Sequence, residues 1–321
     1  MRHVDSLQEM QKDRKEEQSK SDRKKRTKNS GGVMAMNKSK WKFVLLIAVP
    51  TFLLYLYICI VPMINSIANS VYEWNGYGPK KWVGFENYIN IFKDPDFMEA
   101  FFNDVIIVFF KEIIIVVLSV IFAVSLTRAR LKKSEISFFR FLFYIPNILS
   151  IIVISMVWKY FFESIGDKIG LFATENGIWT DHPLPLIIFI ASWCGIGYYM
   201  IILITSINNI PKQLYEAASL DGAGEIKQLI HIILPEVRPQ IRYVIINVLS
   251  GSLAVNMNLI LPLTGGANHT GVMGLYVYNY GPGSQTPMVG YAYAAAVVLM
   301  GISFILCFTV NMYMKRKEAK D

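Results

Sequence analysis

Six long stretches almost free of charge restrict this chain more than any other feature of its sequence. They run from Phe43 to Pro62, from about Val105 to Leu126, from Phe141 to Trp158, from Leu184 to Ile207, from Tyr243 to Leu263 and from Met288 to Met314. In hydrocarbon every backbone N–H and C=O must be satisfied within the protein, and about 20 mostly apolar residues of helix are needed to cross. The stretches therefore predict an all-α, polytopic membrane protein with six transmembrane helices. Composition agrees, since 53% of the residues are hydrophobic and only 17% charged, a balance seen in membrane chains rather than soluble ones. The first stretch is too long for a signal peptide. Cys59, Cys194 and Cys307 all lie inside stretches and are odd in number, so they predict inert packing residues and no disulfide framework.

The net charge of +8 is distributed by membrane side, which argues against a nucleic-acid footprint. Thirteen of the 32 Lys and Arg precede Phe43, five lie between Arg128 and Arg140, four between Lys212 and Arg242, and four follow Met314. These are alternate loops, and positive loops face the cytoplasm. The intervening loops carry Lys80, Lys81, Lys93 and Lys168 against ten acidic residues, Asp94, Asp96, Glu99 and Asp104 among them. A plasma-membrane protein with both termini cytoplasmic is expected.

Residues 1–42 are too polar to fold alone and predict a disordered basic cytoplasmic tail, a topology determinant that also suits anionic lipid headgroups. Residues 43–315 form the six-helix domain, and 316–321 a short cytoplasmic C-terminal tail. Within the domain, the segment 208–239 is too polar to span and too regular to be disordered. Pro211 suits a first helical turn, and Leu214, Ala217, Ala218 and Asp221 follow at helical spacing. Gly222 and Gly224 break that helix, since glycine takes positive φ without strain. Ile226, Leu229, Ile230 and Ile233 then repeat the spacing on a second helix that must end near Pro235. Periodicity leaves two readings open: a hinged pair that docks another protein, and an amphipathic pair resting on the bilayer.

The run EAASLDGAGEIKQLIHIILP, Glu216 to Pro235, resembles the signature loop of permease subunits of binding-protein-dependent ABC importers. Glu216, Ala217, Ala218, Gly222, Ile232, Leu234 and Pro235 match its order, and Asp221 lies within it. VGFENYINIFKDPDF from Val83, FYIPNILSIIVISMVWKYFF from Phe143 and IPKQLYEAASLDGAG from Ile210 are similar to the maltose-type sugar branch, and the likeness covers nearly everything after residue 43. Length and the basic tail look like Gram-positive permeases for complex or pectin-derived oligosaccharides. The resemblance implies the type I importer permease fold, and a loop that couples to a separate ATPase. It implies as partners a second permease subunit, two copies of the ATPase, an extracellular solute-binding protein and an oligosaccharide. ATP and Mg would bind the ATPase, and no cofactor is expected on this chain, which lacks the phosphate-binding G-x-x-x-x-G-K-[ST] loop. It is therefore expected to conduct and couple rather than catalyse. Another small solute such as glycerol phosphate is the alternative cargo; an ion-driven carrier would show inverted repeats and no such loop.

For the substrate path, polar groups inside spans are costly and need a reason. In the fifth stretch Asn247, Gly251, Ala254 and Asn258 fall on one helical face, with Ser250, Ser252 and Asn256 close by. Amides suit sugar hydroxyls, although small and polar residues also serve interhelical packing. Tyr198 and Tyr199 offer faces for sugar rings or for packing. Lys111 and Glu112 interrupt the second stretch and point about 100° apart, so each needs its own partner. Lys111 either snorkels outward, pairs with a partner subunit, or faces the path, where it would favour an acidic sugar. His182 and His231 lack metal-ligand company, and no metal site is expected.

Overall fold

The computed structural model describes residues 38–128, 132–166 and 183–318. Most of the expected tail over residues 1–42 lies outside them, as do Asp167, Lys168, Glu175, Asp181 and His182 of the predicted outer loop and residues 319–321. The chain divides into two units, residues 1–64 and 65–321.

In the first unit α1 (Lys38–Tyr55) passes through a π turn, Leu56–Ile60, into α2 (Val61–Asn69), which runs on past the unit boundary. The N–H of Val61 donates to the carbonyl of Leu56, five residues back, immediately before Pro62. Widening the helix there relieves the clash between a proline ring and the carbonyl four residues earlier. Leu229–Ile233 repeats the device before Pro235, with Leu234 donating to Leu229.

The second unit begins with a two-stranded hairpin, β1 (Tyr72–Glu73) against β2 (Lys81–Trp82), followed by α3 (Glu86–Lys93). Two residues clamp the hairpin: the Gly290 backbone N–H donates to Trp74 O, and the Asn87 side-chain amide donates to the carbonyls of Ser70 and Tyr72. The long helix α4 (Pro95–Arg128, 34 residues) starts ten residues before the apolar run at Val105. Asp94 explains the early start, because its carboxylate accepts the Asp96 N–H at 2.9 Å ahead of a proline suited to the first turn. Asp96, Glu99 and Asp104 therefore belong to a helix, and Asp104 is fully buried rather than a loop acid.

The third predicted span is not straight. α5 (Lys133–Ile148) and α6 (Ile151–Phe161, continued by a π turn to Gly166) meet at 92°. Pro146 removes a helical donor, and Leu149 and Ser150 adopt extended conformations. No charge marks this break, so an apolar run reads straight through it. α7 (Leu184–Asn208) packs along α4 and α5. Gly197 permits the second contact: a β-carbon there would sit 2.0 Å from the Phe143 carbonyl oxygen.

α8 (Lys212–Leu220) and α9 (Glu225–Gln228) form the hinged segment, and after the π turn α10 (Leu234–Glu236) leads into α11 (Arg238–Leu263). α11 bends by 52° between Leu253 and Val255 and packs on α6, α4 and α13. α12 (Met273–Tyr280) and α13 (Val289–Glu318) complete the chain. Among the described residues four helices are long and apolar enough to cross a membrane, and the spans number up to six if each bent pair is one span.

Candidate functional site

Four elements surround a cavity of about 290 Å³: α4 contributes Lys111, the α5–α6 junction Asn147, α7 Cys194 and Tyr199, and α11 Asn247, Gly251 and Asn256. The bend after Ile148 opens this space. In the last turn of α5, the Asn147 side-chain amide donates to the Cys194 carbonyl at 3.3 Å.

Lys111 does not snorkel. Its side chain is buried, lines the cavity, and donates to Asn256 Oδ1 at 3.2 Å. The amide nitrogen of Asn256 donates to Asp104 Oδ1 at 2.8 Å, and the other carboxylate oxygen accepts the Met273 N–H at 2.9 Å. A cation, an amide and an anion thus form a relay from α4 to α11 and back to α4, so that the buried ammonium is compensated within the chain. Glu112, one residue on, faces elsewhere: both carboxylate oxygens are buried with no hydrogen-bond partner among the described residues.

On the other side of the cavity the Tyr199 hydroxyl donates to Asn247 Oδ1 at 2.8 Å. Tyr198 lies against Tyr199 edge to face, outside the cavity lining. Gly251 has open space where a β-carbon would stand. Asn258 is exposed and outside the lining, whereas Asn256 is buried and within it. Asn247, Val248, Gly251, Ser252, Val255, Asn256 and Leu259 recur at helical spacing along the lining face of α11, and Asn258 lies outside it.

At the loop end of the bundle α8 closes with a Schellman turn. Gly222 takes φ +72° and its N–H reaches Ser219 O, while Ala223 N–H reaches Ala218 O at 2.8 Å. Glu216, Ala217 and Asp221 are exposed, Ala218 half-buried, and Leu220 and Ile226 stand out as apolar side chains. Ile233 is fully buried in a cluster with Leu126 and Ile207, so the segment is rooted in the bundle while its tip is free. Ile232, Leu234 and Pro235 lie half-buried at that root.

Sequence reasoning missed Asp104, Asn147, Arg128 and Gln228. Asp104 was findable, because Asp94-Pro95 is a helix-start signal and Asp104 precedes Lys111 by two helical turns. The others depend on contacts distant in sequence.

Residues 115–317 match the family described as "Binding-protein-dependent transport system inner membrane component". The chain is 29% identical over 283 residues to the probable ABC transporter permease protein YurN of Bacillus subtilis, covering 85% of this chain and 95% of that one. It is 30% identical over 247 residues to the multiple sugar-binding transport system permease protein MsmF of Streptococcus mutans, covering 74% and 83%. The diacetylchitobiose uptake system permease protein NgcF of Streptomyces coelicolor is 25% identical over 291 residues, covering 84% and 82%. Among solved structures, a chain of a bacterial ABC transporter importing the acidic polysaccharide alginate shares the fold, with a TM-score of 0.72 at 22% identity over 87% of this chain and 99% of that one.

Proposed function

Since the chain belongs to the family of binding-protein-dependent transport system inner membrane components, a multi-pass permease subunit of an ABC importer and not itself an enzyme, we propose that its cavity passes an oligosaccharide. An extracellular solute-binding protein delivers the sugar, and a second permease subunit completes the pathway. The segment 208–239 faces the cytoplasm with both termini and docks in a groove of an ATPase, which is present in two copies and carries ATP and Mg. The exposed Glu216, Ala217, Leu220 and Ile226 at a rooted hinge support that docking.

The internally compensated Lys111 carries the choice of cargo. With Asp104 offsetting the ammonium through Asn256, the cavity presents amides, a phenol and open space at Gly251, groups that suit uncharged hydroxyls. Glycerol phosphate would call for cations left free for the phosphate. The relatives named for multiple sugars and diacetylchitobiose favour a carbohydrate as well.

The test is uptake into proteoliposomes holding this chain, its second permease and the ATPase, with the binding protein added. Uptake of labelled neutral oligosaccharides should require ATP and the binding protein. Uptake that persists without the ATPase, or that is confined to glycerol phosphate, overturns the reading.

A further inference from the structure

Besides its apolar root, the hinged segment is tied to the bundle by one fully used polar side chain. Gln228 is buried at its base, and its amide nitrogen donates both to Ser219 Oγ at 3.1 Å and to the Ala223 carbonyl at 3.0 Å. Its oxygen accepts from the Arg128 guanidinium at 2.9 Å. Arg128 is the last residue of α4, and its guanidinium lies over the Tyr215 ring, 5.0 Å from the centroid. Tyr215 and Ser219 stand one turn apart on α8, and Ala223 follows in the turn that ends it. Arg128 and Gln228 therefore grip α8 along its inner side and at its end.

α4, on the far side of the grip, is one of the elements that line the cavity. α4 has no proline after its first residue and no break over 34 residues, in contrast to α5–α6 and α11. Arg128 is 17 residues from Lys111, about 25 Å along a helix. Apolar contacts at the loop root, such as Ile233 against Leu126, permit sliding because they have no preferred direction. A saturated amide bonded to a guanidinium does not slide without breaking.

We propose that Gln228 and Arg128 are positioning residues of the transport cycle: they form a latch that carries displacement of α8 into α4, and hence into Asp104 and Lys111 at the cavity. The latch rests on the reading that α8 receives the ATPase stroke, and it adds the route by which that stroke enters the membrane domain.

The experiment compares uptake per ATP hydrolysed in the complete importer in proteoliposomes, with the amount of assembled complex measured in each preparation. Gln228→Ala and Arg128→Ala should each assemble and hydrolyse ATP, with uptake per ATP lowered about fivefold or more. The double variant should be no worse than either single one, because the two residues act as a unit. Arg128→Lys, which keeps a donor for Gln228, should recover much of the loss. Should Gln228→Ala fail to assemble, Ser219→Ala, which removes the Gln228 bond and the serine's own bond to the Tyr215 carbonyl on an exposed helix, should still lower the ratio. An unchanged ratio in the variants that assemble, or uptake and hydrolysis falling in step with complex abundance, overturns the latch. A wild-type complex without ATP-driven uptake would instead overturn the functional reading on which it rests.

Discussion

Lys111 of α4 and Asn256 of α11, 145 positions apart in sequence, meet at 3.2 Å inside the membrane domain, and the same amide continues the link to Asp104 at 2.8 Å. The relay places a positive group on the cavity wall without leaving a free charge in a low-dielectric interior. Removing one end strands the other, and breaking a buried pair in this way typically costs about 3–5 kcal/mol. Asp104→Ala should therefore lower the thermal unfolding temperature of the purified complex markedly, and combining it with Lys111→Met should restore much of the loss. An additive double variant would show that the two charges do not sense each other. Because Asp104 offsets the ammonium, Lys111→Met should lower uptake of neutral and uronate-containing oligosaccharides alike. A loss confined to uronates would mean that the cation meets the sugar directly.

Much of this arrangement was legible in the sequence, and the remainder was hidden for identifiable reasons. Apolar runs mark spans because hydrocarbon demands them, and the Glu216–Pro235 segment announces its hinge through Gly222, which does take positive φ. The right-angle turn after Ile148 carries no charge and so leaves no trace in hydropathy. Helical phase put Asn247, Gly251 and Asn258 on one face with Asn256 close by; of these Asn247, Gly251 and Asn256 line the cavity and Asn258 does not. Gln228 and Arg128 are 100 residues apart, and neither has a local pattern that names the other.

The Tyr199–Asn247 bond gives a second prediction. The Tyr199 hydroxyl holds the Asn247 carbonyl at 2.8 Å and thereby fixes which way the amide faces the cavity. Tyr199→Phe keeps the ring and its packing while removing one hydrogen bond, worth about 1 kcal/mol net. Uptake should fall about fivefold, the equivalent of that energy, with the binding protein's own sugar affinity unchanged. Unaltered uptake in Tyr199→Phe would remove this pair from the sugar path.

Alkaline pH offers a third check, at the hairpin end of the bundle. The Tyr276 hydroxyl donates to Asp94 at 2.5 Å and shares a 2.9 Å contact with Tyr291. Burial pushes the Tyr276 phenol well above its ordinary range, and the Asp94 and Tyr291 bonds raise it further. A folded-state value above the unfolded one means that the folded chain holds the proton more tightly. The stabilisation is then complete below the unfolded phenol's value of about 10 and is lost as pH rises above it. Thermal unfolding followed between about pH 9 and 11 should show a steeper decline for wild type than for Tyr276→Phe. Parallel declines would assign the alkaline loss to other groups.

The hinge itself supplies the last prediction. Gly222 sits at φ +72° with nothing near the position of an added β-carbon, so a substitution there is opposed by backbone conformation alone. An L-residue in that region costs about 1–2 kcal/mol, and asparagine tolerates it better than alanine. Proline cannot adopt it at all, because its ring holds φ near about −65°. Gly222 is exposed at the tip, while the root of the segment is held by Ile233 and Gln228, so the bundle should fold and insert whatever occupies position 222. The expected order of ATP-driven uptake is glycine, then asparagine, then alanine, with Gly222→Pro inactive although it reaches the membrane at normal abundance. Its ATP hydrolysis should no longer respond to the loaded binding protein. Uptake retained in Gly222→Pro would show that the turn after α8 can change shape without interrupting the stroke, and would move the coupling element elsewhere in the chain.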